Sequence, residues 1–447
     1  MVSSIVICIA SFFWLLFVLR RDSVSLGLPI AYLLSLLIIH IPGAYGYLVA
    51  DMEFHQFSDL VATGIEFTAI ASVSFVAGTW AVRIFATGFR PIVAETDEWR
   101  FSLFCMIGGW LFVYALSPLY SIPSLGAAIE RAGAIWMLGV MLGLRSAVKR
   151  SNLKLVGMWL AALAVYPIMM LLLGGFLSYG ATTTIIVVSI LSISVVSGWK
   201  VIIGGLVGVY LGFNVFINYF AHRDNIREEV WGGAPLENRI DATLNIFREF
   251  KWFDSSDPKQ MLAIDRRLNQ NFFAGLAAAR IEQGSVDYLY GRSLWEGLIA
   301  LVPRAVWPDK PVVAGSPKIV SEMTGLQFNE NTSYGVGNVM EFQINFGIPG
   351  LVAGFFLLGF LLRALDRHAA VSLRRADFGS AIVSFLPAIA LVQPNGSLVE
   401  LSSGAAAALV GAYGWKWGWK RWSRRAARVK RRPRGYARSL GPEMPRE

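Results

Sequence analysis

The chain has 447 residues, of which 55% are hydrophobic and only 16% charged, with a formal net charge of +10. Globular chains average roughly 45–50% apolar and about 25% charged residues, and the mean hydropathy here is +0.53. That balance excludes a disordered chain, a coiled coil and an ordinary soluble enzyme, and it points to an integral membrane protein.

A crossing helix needs about 20 mostly apolar residues, and lipid offers the backbone no other partner than its own helix. Eleven stretches qualify, near 3–19, 24–49, 61–85, 101–117, 133–148, 155–174, 181–198, 201–220, 346–364, 378–394 and 398–415. The fifth is short, and the tenth and eleventh also fit a re-entrant pair. The first lacks a basic leading region and a small-residue cleavage site, and Arg20 and Arg21 follow its apolar run. It reads as a retained span, not a signal peptide. Aromatic residues make up 13% of the chain, with 15 Trp, which suits two lipid–water boundaries. Cys8 and Cys105 both sit in apolar runs, so no disulfide framework or cysteine metal site is expected.

Lys and Arg give the orientation. Arg20 and Arg21, Arg90 and Arg100, Lys149 and Arg150, Lys200, and Arg367, Arg374 and Arg375 fall in alternate loops, with a basic stretch from Lys416 to Arg438 at the end. Of the short loops on the other side, only 118–132 carries a cation, Arg131. The positive-inside rule then predicts the N-terminus outside and the C-terminus inside. The expected organisation is an eight-span bundle over 1–220, an extracytoplasmic loop subdomain over 221–345, three spans over 346–415, and a cytoplasmic tail over 416–447. The Trp- and Arg-rich tail reads as a binder of anionic lipid head groups; nothing suggests nucleic acid.

Residues 221–345 hold 13 of the 40 basic and 16 of the 30 acidic side chains, and structureless loops of such length are uncommon. Residues 259–284 read as one amphipathic helix ended by Gly284, and 292–302 as a short apolar helix at the interface. Pro303, Pro308 and Pro311 stiffen the loop that carries Arg304 and Lys310. Such cations suit a lipid-linked diphosphate: each Arg–phosphate hydrogen bond contributes roughly 1.5–3 kcal/mol, and the leaving diphosphate gains charge during transfer. Glu341, Glu322 and His222 are the candidate bases for an attacking sugar hydroxyl. Arg280, Arg292, His222, Arg223, Tyr334 and Asn338 are candidate substrate contacts. Each has a plainer reading: Arg280 and Arg292 as solvated helix faces, His222 and Arg223 as interface anchors, Glu341 as a first-turn acid favoured by the helix dipole. Glu66 within the third span is a costly carboxyl that would line a cavity or bond another span. No Asp-x-Asp occurs and the four histidines (40, 55, 222, 368) are scattered, so no metal site is readable.

The run Pro303-Arg304-x-x-Trp307-Pro308-x-Lys310-Pro311, followed by Glu341-x-x-x-Asn345-Phe346-Gly347-x-x-Gly350, resembles the Wzy-type oligosaccharide repeat-unit polymerases of the O-antigen polymerase/ligase superfamily. The arrangement of many spans with one large late loop is similar to that family's. The resemblance implies an all-α, polytopic, glycosyltransferase-C-like membrane fold. It also implies an enzyme that joins undecaprenyl-diphosphate-linked oligosaccharide units into O-antigen, capsule or exopolysaccharide on the outer face of the bacterial inner membrane. No metal or other cofactor is implied; membrane lipids and a chain-length-regulating polysaccharide co-polymerase are the implied partners. Under it Arg304, Lys310 and Glu341 are the catalytic candidates. The alternatives are an O-antigen ligase-type transferase and a glycolipid flippase or transporter. A transporter would more often show repeat-related halves, whereas here the polar mass sits in one late loop, which favours an enzyme.

Overall fold

The computed structural model describes residues 1–22, 24–49, 57–82, 98–121, 123–175, 178–194, 198–302, 307, 309–310, 316–327 and 335–431. Among these there is no strand. The helices are α1 (Val2–Asp22), α2 (Leu28–Val49), α3 (Ser58–Ala81), α4 (Glu98–Ala115), α5 (Pro123–Gly133), α6 (Ile135–Lys149), α7 (Leu153–Gly174), α8 (Ser178–Ser194), α9 (Gly198–Trp231), α10 (Leu236–Arg248), α11 (Pro258–Leu268), α12 (Gln270–Glu282), α13 (Arg292–Ala300), α14 (Ser316–Thr324), α15 (Asn338–Arg374), α16 (Phe378–Leu391) and α17 (Leu398–Arg431). Within the described residues, each apolar stretch read from the sequence overlaps one of them. Five helical stretches among the described residues are long and apolar enough to cross a membrane: α1, α2, α3, Ala128–Lys149 and α15. Shorter apolar stretches lie at Leu153–Val165, Thr182–Ile193 and α16. At 1.5 Å per residue α16 is about 21 Å long, short of the roughly 30 Å of hydrocarbon.

Burial sorts these helices. The apolar windows of α2 and Ala128–Lys149 are 67% and 72% buried, against 39% for α1, so the first two are enclosed by the others. Small residues let α3 and α15 touch backbone to backbone: a Cβ on Gly359 would lie 2.2 Å from the Phe75 carbonyl oxygen, and one on Gly78 2.0 Å from that of Phe356. Close approach of this kind is how helices associate where lipid removes the usual hydrophobic drive.

The start of α2 is clamped to α15 by buried charge. Asp366 accepts hydrogen bonds from the backbone N–H groups of Leu26 (2.9 Å) and Leu28 (3.3 Å) and from the Ser25 hydroxyl (2.6 Å). Arg363 donates to Asp366 (2.7 Å), to the Val24 carbonyl (3.0 Å) and to Asp22.

Two helices of the 221–345 segment share the core of the apolar helices. Ala274, Ala277 and Ala278 of α12 and Ile319, Val320 and Met323 of α14 belong to the same hydrophobic core as α2, α3 and α15. The helix expected over 259–284 is two helices, α11 and α12, broken at Asn269 (φ −129°, ψ 67°). Asp257 caps α11, accepting from the Lys259 N–H (2.9 Å), with Pro258 at its first position. The expected stop at Gly284 is present, at φ +68°. The break has a tertiary cause. Asn269 presses on Gly43 of α2, and the buried Asn271 side chain bonds His40 through both its ends, donating to the carbonyl (2.7 Å) and meeting Nδ1 (2.8 Å).

Candidate functional site

A cavity of about 340 Å³ lies between α2, α8, α9, the α11–α12 junction and the turn joining α16 to α17. Ligand pockets span roughly 300–1,000 Å³, so it is large enough to hold a head group. Ile38, Ile39, Ile185, Phe216 and Phe273 give it apolar walls. Into the same space come four arginines: Arg223 and Arg227 from α9 and Arg266 and Arg267 from the last turn of α11. One turn separates the first two on a common helix face. The Phe220 ring lies beneath both Arg223 (5.6 Å) and Arg267 (5.2 Å), and Trp231 beneath Arg227 (4.9 Å). Aromatic faces thus help to orient three of the four guanidinium groups.

Two acids stand nearby, the fully solvated Asp224 at 3.7 Å from Arg223, and Asp265 beside Arg266. Burial, and then the charge of Arg223, lower the Arg227 guanidinium below its ordinary value. Arginine nevertheless stays protonated in proteins, so the cavity keeps a surplus of positive charge. Ser35 Oγ and Gln270 Oε1 on the cavity wall are buried with no hydrogen-bond partner among the described residues. Apolar walls, clustered forked cations and unpaired polar atoms together suit an amphiphilic anion with several phosphate oxygens and neighbouring hydroxyls.

A second polar cluster adjoins the cavity through the α16–α17 turn. Pro394 and Asn395 of that turn line the cavity. Its far end, the Leu398 N–H, donates to Glu341 Oε2 at 2.7 Å. Glu341 is fully buried, and its Oε1 has no hydrogen-bond partner among the described residues. Glu296 and Glu400 lie within electrostatic reach of it. Asn345, one turn on, donates to the Glu341 carbonyl (2.7 Å) and to Ser293 Oγ (2.8 Å), and accepts from the Gly291 N–H (3.0 Å). The helix then breaks at Phe346 and at Gly347, whose φ of +65° only glycine adopts readily. The Glu341–Gly350 stretch is therefore a stitched helix start followed by a hinge.

No protein-family model matches the chain, and no curated protein or solved structure matches it.

The other sequence-derived candidates are placed as follows. Arg304 and Tyr334 lie outside the described residues. Arg223 lines the cavity. His222, next to it, does not; it sits between the Asn218 carbonyl (2.9 Å) and Glu249 (3.0 Å). Lys310 donates to the carbonyls of Val302 (3.0 Å) and Ala300 (3.4 Å), neutralising the C-terminal end of α13. Arg292 pairs with the Glu322 carboxylate at 2.6 Å, which raises the guanidinium above its ordinary value, and Arg280 donates to the Glu322 carbonyl (3.3 Å). Both arginines therefore hold α14. Asn338 fixes the α16–α17 turn through Pro394 O (2.8 Å) and Gly396 O (3.0 Å) and accepts from the Tyr32 hydroxyl (2.7 Å). Glu66 is exposed on α3 and is not part of the cavity wall.

The sequence reading overlooked Arg227, Arg266 and Arg267. The i, i+4 spacing of Arg223 and Arg227, following Tyr219 on the same face, was a signal for the first. The second pair could be recognised only once the break at Asn269 turned the end of α11 toward α9.

Proposed function

We propose that this chain is a polymerase that joins undecaprenyl-diphosphate-linked oligosaccharide repeat units into O-antigen, capsule or exopolysaccharide on the outer face of the bacterial inner membrane. The four-arginine, apolar-walled cavity is the observation that carries the proposal. The residues from 303 to 350 that resemble the Wzy-type polymerases supply the reaction class. In this reading eleven helices cross the bilayer in a glycosyltransferase-C-like arrangement, with the N-terminus outside, the C-terminus inside, and the cavity reached from the outer leaflet.

The chemistry is glycosyl transfer. An acceptor sugar hydroxyl attacks the anomeric carbon of the lipid-linked chain, forming the new glycosidic bond. The bond from that carbon to the diphosphate oxygen breaks, and its electron pair leaves with the lipid diphosphate. Arg223, Arg227, Arg266 and Arg267 bind the diphosphate more strongly as its charge grows, which favours the transition state over the ground state. The hydroxyl proton passes to a carboxylate, with Glu341 as the base; the 392–397 turn joins its position to the cavity. Arg304 remains a sequence-based candidate for the same diphosphate.

Deletion of the gene followed by envelope glycan analysis tests the proposal. Single repeat units on the surface are the expected outcome. Long polymer retained on its lipid carrier would instead assign a ligase, and loss of all surface units a flippase. An unchanged glycan profile would overturn every one of these readings.

A further inference from the structure

Helix α10 has three faces where a surface helix ordinarily has two. Ala242 and Ile246 pack against Tyr219, Ile226 and Val230 of α9 and Leu171 of α7. Glu237, Asp241 and Arg248 form a polar face, with Arg248 3.4 Å from Asp241. The third face carries Leu236, Ile240, Leu244 and Phe247, spaced so that they share one stripe of the helix, and all four are exposed, Phe247 by 59%. Contiguous apolar surface of this kind marks a contact surface.

Its surroundings identify the occupant. Trp231 and Trp252, at either end of α10, are also exposed, and Trp252 stacks on Tyr210 at 6.0 Å. Tyr210 lies with Val207 and Leu211, all exposed on α9, so apolar surface is present on α9 as well as on α10. Leu171, against which α10 packs, is in the last turn of the apolar helix α7, next to exposed Ile168 and Met169. The stripe therefore lies on a helix packed beside the last turn of α7 and the 219–230 part of α9, flanked by the residue type that favours lipid–water boundaries.

We infer that the Leu236–Ile240–Leu244–Phe247 face of α10 is a lipid-contact surface that enters the boundary between head groups and acyl chains. An amphipathic helix with this division of faces binds there by burying its apolar side while its charged side stays in water. Because α10 is packed on α9, the contact also fixes Arg223 and Arg227 at the level of the lipid head groups. The inference rests on the membrane assignment of the apolar helices and not on glycosyl transfer, so a failed polymerase assay leaves it standing.

Site-directed spin labelling of the full chain in phosphatidylcholine–phosphatidylglycerol vesicles tests it. Labels are introduced singly as Ile240→Cys, Phe247→Cys, Glu237→Cys and Asp241→Cys; the natural Cys8 and Cys105 are both buried and do not compete. Positions 240 and 247 are expected to relax readily with oxygen and poorly with a water-soluble nickel chelate, and positions 237 and 241 the reverse. Equal access of nickel to all four positions would overturn the inference. So would dipolar broadening at 240, which would place a second copy of this chain on the stripe.

Discussion

Arg363 is only 1% exposed, yet three acceptors surround it, so its charge is compensated where it stands. Asp366→Ala leaves Arg363 with Asp22 as its one carboxylate and takes the acceptor from Ser25, Leu26 and Leu28, and breaking such a buried pair costs about 3–5 kcal/mol. The cavity arginines are built differently. Four guanidinium groups share one apolar-walled space with two neighbouring acids, and the Phe220 ring lies beneath two of them. In the proposed function this clustering of forked cations against apolar walls serves to hold the lipid diphosphate. Arg267→Ala is therefore expected to leave the protein in the membrane and to lower polymer output about 10²–10³-fold, the usual cost of losing a pre-organised electrostatic donor. Arg267→Lys should restore only part, since an ammonium lacks the planar fork. Glu341→Gln probes the base: its amide oxygen can still accept from Leu398, so the turn stays in place while proton acceptance is lost. Glycan ladders and immunoblots of membranes read both variants. Polymer of normal amount and length from either would remove that residue from the site.

At the scale of elements, α12 decides how the cavity is closed, because its first residue follows the break that aims α11 at α9. It is held on α3 by glycine: a Cβ on Gly275 would lie 1.9 Å from the Leu60 carbonyl oxygen, and one on Gly64 2.2 Å from that of Asn271. Gly275→Ala must push the two helices apart and is expected to destabilise by about 1–3 kcal/mol, the usual cost of overfilling a packed contact. A lower midpoint of thermal unfolding in detergent checks this, and an unchanged midpoint would mean that the contact is slack. These same residues show what was legible. The amphipathic period of 259–284 and its glycine stop are local properties, and the sequence displays them. The break at Asn269 is not local: it depends on Gly43 and His40, more than two hundred residues earlier, and no helix-period pattern contains that. Lys310 looked like a loop cation and Arg292 like a solvated helix face for the same reason, since their partners at the end of α13 and on α14 are set by the fold.

At the scale of the molecule, the two ends of α2 carry different chemistry. Its first residue bonds Asp366, which Arg363 links to Asp22, on the side where Arg20, Arg21, Arg367, Arg374 and Arg375 gather. Its last turns meet α11 and α12: Gly43 lies against Asn269 and Gly46 against Met261. Residues 258–271 and residues 363–375 are thus at opposite ends of one enclosed helix. The sequence made the alternation of basic loops visible, because charge bias acts on each loop separately. It could not show that α12 and α14 share the main core, because that packing joins residues far apart in the chain. Cytoplasmic loops carry the excess of Lys and Arg, so in the proposed orientation the basic end faces the cytoplasm and α11 faces outward. Fusions of a reporter active only outside the cytoplasm, truncating the chain after residues 260, 370 and 440, turn this into a measurement. Activity is expected at 260 and silence at 370 and 440. Activity at 440 with silence at 260 would invert the protein, put the arginine cavity on the cytoplasmic side, and remove it from any substrate assembled on the outer leaflet.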